Sequence, residues 1–213
     1  FDRSEICLTE VSVEVFCGFV FVNLDPEAKP MADWFPGVEQ ELRAFVPDID
    51  RLKPVAFVEV PEKCNWKVSV ENYSECYHCP INHPTFAEGV IKPETYDIQP
   101  LEKGYVLRHT TECQSLENMT YPIDLDANEH AGEYRSWYLW PMVSFQCYPG
   151  NVLNTYHWRV RDVDYCTVYR GWFTEGGSES DVIRQLAVQD RQTTVEEDIR
   201  LVESVHRGLK SRG

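Results

Sequence analysis

Residues 8–24, LTEVSVEVFCGFVFVNL, alternate apolar and polar positions and then run continuously apolar after Gly18. Alternation sends successive side chains to opposite faces, so the segment predicts a strand or hairpin passing from half-buried to buried, ended by Asp25-Pro26. A short helical period covers about 38–46, and RLKPVAFVEV at 51–60 reads as a further strand. Helical spacing returns from about Asn65. At roughly 100° per residue, Trp66, Val70, Tyr73 and Tyr77 share one face, and Glu71, Glu75 and His78 share the opposite one. Segments 104–113, 135–147, 152–160 and 164–174 are rich in Val, Tyr, Trp and Thr and predict strands, with YPGN at 148–151 as a turn. A last helical region covers about 180–210. Strands in succession, bounded by helices rather than alternating with them, predict an α+β fold whose antiparallel sheet wraps around a long helix.

The stretch ENYSECYHCPINHPTF, residues 71–86, concentrates carboxylates, thiols and imidazoles. Pro80 removes a backbone donor and biases Cys79 away from helical geometry, so His83 arrives on a different path from His78 and the two rings can converge. Three chemistries fit these residues. One is the solvated polar side of a core helix. Another is zinc held by Cys76, His78, Cys79 and His83, although neighbouring ligands in one turn diverge. The third is a pair of histidines plus a carboxylate, the arrangement of non-haem ferrous oxygenases. A Rieske cluster is excluded within this chain, because Cys76-Tyr77-His78 supplies one half of such a site and no Cys-x-x-His occurs anywhere.

Near the C-terminus, Leu201, Val202, Val205 and Leu209 form an apolar helical stripe that projects back onto Asp198, with Glu196 opposite and Glu197 and Ile199 on the flanks. An inward carboxylate needs a metal, an arginine or backbone amides as partner. An aspartate that caps the helix or complements its dipole fits the same position.

Composition narrows the classes of function. The chain has 213 residues, enough for one domain or two, with no apolar run of membrane-spanning length. Its 20 basic and 35 acidic residues give a formal charge of −15, which argues against nucleic acid and anionic membranes and suits a cationic ligand. Eight scattered cysteines read as reduced, in a cytoplasmic protein. The first residues, FDRSEICLTE, contain neither an initiator Met nor a signal-peptide pattern and read as the start of a fragment. Aromatic residues crowd 137–169, and Trp137, Trp140, Tyr148, Tyr156 and Trp158 are candidates to surround a quaternary ammonium by cation–π attraction. Alternation pairs Tyr156 with Trp158, and Tyr138 with Trp140, without saying which face is inward.

The run NWKVSVENYSECYHCPINHPTF, residues 65–86, resembles the iron-binding helix of the catalytic domain of Rieske-type non-haem iron oxygenases. EEDIRLVESVHRGLKSRG at 196–213 resembles the segment that carries the family's aspartate ligand, and GFVFVNLDP at 18–26 resembles the strand leaving its Rieske domain. The resemblance implies a helix-grip fold with mononuclear Fe(II) between helices, held by His78, His83 and Asp198 with Asn72 nearby, and O2 as co-substrate. It implies that residues 1–26 are strands at the exit of a missing Rieske domain, the one that would hold a 2Fe-2S cluster, and that 27–213 are the catalytic domain. Glu75 occupies a position where most of the family has an Asp that bridges to a Rieske histidine of the next subunit. The quaternary-ammonium branch also has Glu there. That branch implies hydroxylation beside nitrogen, with C–N cleavage, of a glycine betaine, carnitine, choline or stachydrine type of substrate. It further implies a flavin/ferredoxin-type reductase and a homotrimer. Aromatic ring hydroxylation and a metal-free helix-grip ligand-binding module are the alternatives.

Overall fold

The computed structural model describes residues 6–101, 105–175 and 181–211. Expectations that touch 1–5, 102–104, 176–180 or 212–213 lie outside the described residues. The chain opens with a hairpin, β1 (Ser12–Phe16) and β2 (Phe19–Asn23), turned by Cys17 and Gly18. Two helices follow, α1 (Met31–Trp34) and α2 (Val38–Phe45), then β3 (Lys53–Glu62), α3 (Trp66–Tyr73), α4 (Cys79–Asn82) and α5 (Pro84–Gly89). Five strands come next: β4 (Asp97–Pro100), β5 (Val106–Glu112), β6 (Glu133–Leu139), β7 (Val143–Tyr148) and β8 (Val152–Asp162). β9 (Tyr165–Thr174), α6 (Asp181–Gln192) and α7 (Thr194–Leu209) complete the order.

Strands β3 to β9 form one antiparallel sheet in the order β3-β9-β8-β7-β6-β5-β4. Its two faces are built from the period of two. On one face Trp137, Leu139, Phe145 and Leu153 pack against Phe16 of the hairpin and against Leu42 and Phe45 of α2. On the other, Tyr138, Trp158, Val168 and Val60 meet Val70 and Tyr73 of α3 and Val195 of α7. The second face carries the site. No helix among the described residues is long and apolar enough to cross a membrane.

Several expectations are corrected. The hairpin does not become buried after Gly18: Phe16, Phe19 and Phe21 turn inward, while Val13, Val15, Val20 and Val22 stay exposed. Segment 135–147 is two strands rather than one. They are separated at Trp140-Pro141, where proline cannot donate to the ladder. The helical period from Asn65 runs only to Tyr73, so Glu75 and His78 lie beyond the helix and Tyr77 is 89% exposed rather than part of the core face. Pro80 breaks nothing, because it lies in the first turn of α4, where its missing N–H is not needed. The C-terminal helical region is two helices meeting at Thr193. In α7 the buried line is Val195, Val202 and His206, while Val205 and Leu209 are 45% and 68% exposed.

Candidate metal centre

Three short segments bring the predicted ligands together. Asn65 caps α3 by accepting from Lys67 N at 3.0 Å, which fixes the helix start and presents Asn72 in its last turn. The bend between α3 and α4 carries Glu75 and His78. His83 sits where α4 ends and α5 begins, with a proline in the first turn of each helix. Asp198 lies in α7 between the buried positions Val195 and Val202.

His78 Nε2 and His83 Nε2 are 3.0 Å apart, and Asp198 Oδ1 lies 3.1 Å from His83 Nε2 and 3.6 Å from His78 Nε2. Asn72 Nδ2 donates to the same Oδ1 at 2.8 Å. Each imidazole hands its other nitrogen to a carboxylate, His78 Nδ1 to Glu75 Oε1 and His83 Nδ1 to Glu197 Oε2 at 2.9 Å. In the neutral tautomer with its proton at Nδ1, each ring would turn its Nε2 lone pair to the point that Asp198 Oδ1 also faces. Adjacent corners of an octahedron with bonds of about 2.1 Å are about 3.0 Å apart, so this donor set fits one face of a divalent metal's coordination shell.

Electrostatics agree with the geometry. Burial pushes the Asp198 carboxyl up, but hydrogen bonds from His78, His83 and Asn72 outweigh it and hold the group well below the usual carboxylate range. Burial lowers both histidines, yet Asp198 with Glu75 raises His78, and Asp198 with Glu197 raises His83. Three carboxylates around two imidazoles make a site that attracts positive charge.

The reading of all eight cysteines as reduced is corrected at Cys76 and Cys79, which form a disulfide beside His78. The bend folds their Cα atoms to 5.0 Å, within bridging range. Both sulfurs are thereby committed, which removes zinc held by Cys76, His78, Cys79 and His83. A second cluster of potential ligands lies deeper, where Cys64 and Cys166 donate to Glu62 Oε2 at 3.7 and 3.5 Å.

The triad opens into a pocket walled by Tyr73, Phe86, Tyr96, Tyr134, Tyr148 and Tyr156. Burial pushes the Tyr73 phenol up to about 12 and raises those of Tyr96, Tyr134 and Tyr148 further, so the rings remain neutral. Of the aromatic candidates, the structure brings Tyr148 and Tyr156 to this pocket. Trp158 lines the adjoining recess beyond Asp198 and donates to Ser69 Oγ at 2.8 Å. Trp137 and Trp140 are corrected. Trp137 faces α2, where its indole N–H donates to Glu41 at 2.7 Å, and Trp140 is half-exposed in the turn after β6, against Trp66. Reasoning from sequence missed Tyr73, Phe86, Tyr96 and Tyr134 as walls, and Glu197 as a partner of His83. Tyr73, two residues before Glu75 on the motif itself, was the one with a local signal.

Residues 49–213 match the family of ring hydroxylating alpha subunits, catalytic domain. The chain belongs to that family. It is 31% identical over 215 residues to the carnitine monooxygenase oxygenase subunit of Escherichia coli (strain K12), covering 100% of this chain and 55% of that protein. A crystal structure of the quaternary ammonium Rieske monooxygenase CntA superposes with a TM-score of 0.85 at 30% identity, covering 100% of this chain and 56% of that one. Naphthalene 1,2-dioxygenase from Rhodococcus sp. shares the fold, with a TM-score of 0.66 at 15% identity over 94% of this chain and 55% of that one. The chain spans about half the length of the curated relatives it matches. The resemblance of 65–86 and 196–213 to Rieske oxygenase catalytic domains holds at the level of the family, as does the α+β helix-grip architecture.

Proposed function

We propose that this chain is the catalytic half of an oxygenase that oxidises a small quaternary-ammonium compound, with ferrous iron held by His78, His83 and Asp198. The observation that carries the reading is the convergence of those three ligand atoms at the floor of a pocket with neutral aromatic walls. Iron bound there supplies O2 activation. The chain's own residues do the rest. Glu75 and Glu197 keep the ring protons at Nδ1, and Asn72 holds the Asp198 carboxylate in place. Ring faces surround a methylammonium without a dedicated counter-ion, each well-placed ring contributing about 0.5–2 kcal/mol. Arg170 lies 3.9 Å from the Tyr156 ring and is neutralised by Asp190 at 3.0 Å, so it fixes that wall without adding net charge.

In the full-length protein we infer a Rieske domain upstream, with residues 1–26 as its exit, and electrons arriving through a reductase. In a homotrimer, Glu75 would bridge by hydrogen bonds between His78 and a cluster-ligand histidine of a neighbouring subunit, coupling the two centres. Its side chain is 30% exposed, with Oε1 on His78 Nδ1 and Oε2 accepting from the Tyr77 N–H. The test is competition between a trimethylammonium compound and its uncharged tert-butyl analogue, with formaldehyde or aldehyde release as readout. Roughly tenfold preference for the cation is expected. Equal binding, or faster oxidation of a neutral arene, assigns ring hydroxylation instead.

A further inference from the structure

Gln146 has no part in holding metal, yet it lines the same pocket as His78, His83 and Asp198. It stands on β7 between Ser144 and Tyr148, which share its face of the sheet, and is 1% exposed. Its Oε1 accepts from the Tyr134 hydroxyl at 2.8 Å, which fixes the amide so that Nε2 carries the unspent donors. Nε2 is buried with no partner. Among the described residues that line this pocket, Gln146 alone has a buried side-chain nitrogen or oxygen without one. Buried donors are almost always satisfied, so an orphan on a pocket wall marks where a ligand supplies the acceptor.

We propose that Gln146 Nε2 binds a carboxylate oxygen of the substrate, and that Gln146 thereby selects betaine-type zwitterions over plain tetraalkylammonium cations. The inference rests on the quaternary-ammonium reading and narrows its substrate class. Charge sets the orientation. Glu75, Glu197 and Asp198 crowd the histidine end and outnumber the two charges of a bound ferrous ion, so that end stays net negative, which disfavours a substrate carboxylate there and favours the ammonium. The carboxylate is left to the wall where Gln146 waits, and a charge-assisted hydrogen bond is the strongest that a neutral amide can make.

The experiment is calorimetric titration of the full-length, iron-loaded protein with γ-butyrobetaine and with propyltrimethylammonium, its counterpart lacking the carboxylate. The parent should bind γ-butyrobetaine at least tenfold more tightly. Gln146→Leu should lose that preference, weakening γ-butyrobetaine by tenfold or more while propyltrimethylammonium changes less than threefold. Gln146→Glu should invert it, because the new carboxylate repels the zwitterion and attracts the simple cation. Gln146→Met serves as the second apolar variant, with iron content as the folding control. If both apolar variants weaken the two ligands equally, or change neither, Gln146 is a packing residue and the proposal is overturned. If the parent binds neither ligand, the quaternary-ammonium reading itself fails.

Discussion

His78, His83 and Asp198 form one close trio of potential ligands, and Glu62, Cys64 and Cys166 form another, the donor atoms of each lying within 4.8 Å. By residue type both qualify as metal sites, and the second is the more deeply buried. They differ in where the protons sit. In the deep trio both thiols donate to Glu62 Oε2. Burial outweighs a hydrogen bond from Ser69 and lifts the Glu62 carboxyl to about 7, while contact with Cys64 and burial raise the Cys166 thiol far above its ordinary range. The cluster satisfies itself with its protons in place. In the first trio Glu75 and Glu197 accept at the outer nitrogens, which leaves the inner Nε2 atoms beside Asp198 for a cation or, with both rings protonated, for hydrogen bonds to that carboxylate. Ligand type is therefore a weaker guide to a metal site than the groups that hold the ligands' protons.

The largest effects should separate the two trios outright. His78→Ala, His83→Ala and Asp198→Ala are each expected to lose mononuclear iron, since two protein ligands are too few to retain a labile ferrous ion. Cys64→Ser and Cys166→Ser should keep it. Iron per chain, measured after purification, decides the matter. Near-stoichiometric iron in the histidine variants, or its loss in Cys166→Ser, would erase the distinction.

Glu75→Gln comes next. The amide keeps the size and an acceptor for His78 Nδ1 but removes the charge, so the full-length enzyme should hold most of its iron and lose coupled turnover. Turnover near that of the parent would place Glu75 outside the electron path.

The deep trio yields a pH test of opposite character. The Glu62 carboxyl keeps its proton up to about pH 7 in the folded protein, against an ordinary value of 4.5. Between those values the native state binds more protons than the unfolded one, so Glu62 makes stability fall as pH rises through that window and costs stability above it. Glu62→Gln should remove this component. Denaturation of parent and variant from pH 4 to pH 8 should give curves that diverge with rising pH, by up to about 3 kcal/mol in favour of the variant. Parallel curves would mean that Glu62 is already ionised and that the two trios are less different than their geometry indicates.

What could be read from sequence follows the same division between local and tertiary information. The spacing of His78 and His83 and the apolar period pointing at Asp198 singled these residues out without deciding between ligands and a polar helix face or cap. The family resemblance made that choice, and the structure brings the three side chains together. That period was partly wrong: Val205 and Leu209 are exposed, and Asp198 lies on the line of Val195, Val202 and His206 instead. The end of α3 at Tyr73 was not legible, since Glu75 and His78 continue its spacing even though the chain has left the helix. Trp137 and Tyr138 are adjacent, and only the packing of Leu42 and Phe45 on one face determines which of them meets the site. Gln146 could not be found from sequence at all, because being buried without a partner is a property of the folded pocket.

Glu197 gives the finest test of the comparison, because it touches no metal and acts only by holding a proton. It lay on the flank of the predicted stripe, one residue from Asp198, and its Oε2 accepts from His83 Nδ1 at 2.9 Å. A carboxylate there fixes the tautomer and makes Nε2 a better donor to a cation, and such outer partners contribute 10- to 100-fold in metal affinity. Glu197→Gln preserves an acceptor and so the ring's orientation, but loses the charge; iron affinity should fall roughly tenfold. Glu197→Ala removes both and should approach a hundredfold. Competition against a ferrous chelator at fixed pH measures each step. A graded loss from parent to Gln to Ala means that the charge and the orientation contribute separately. Equal losses in the two variants would assign the whole effect to charge, and no loss in either would mean that His83 is held by packing alone, as the deep trio holds its thiols without any outer carboxylate.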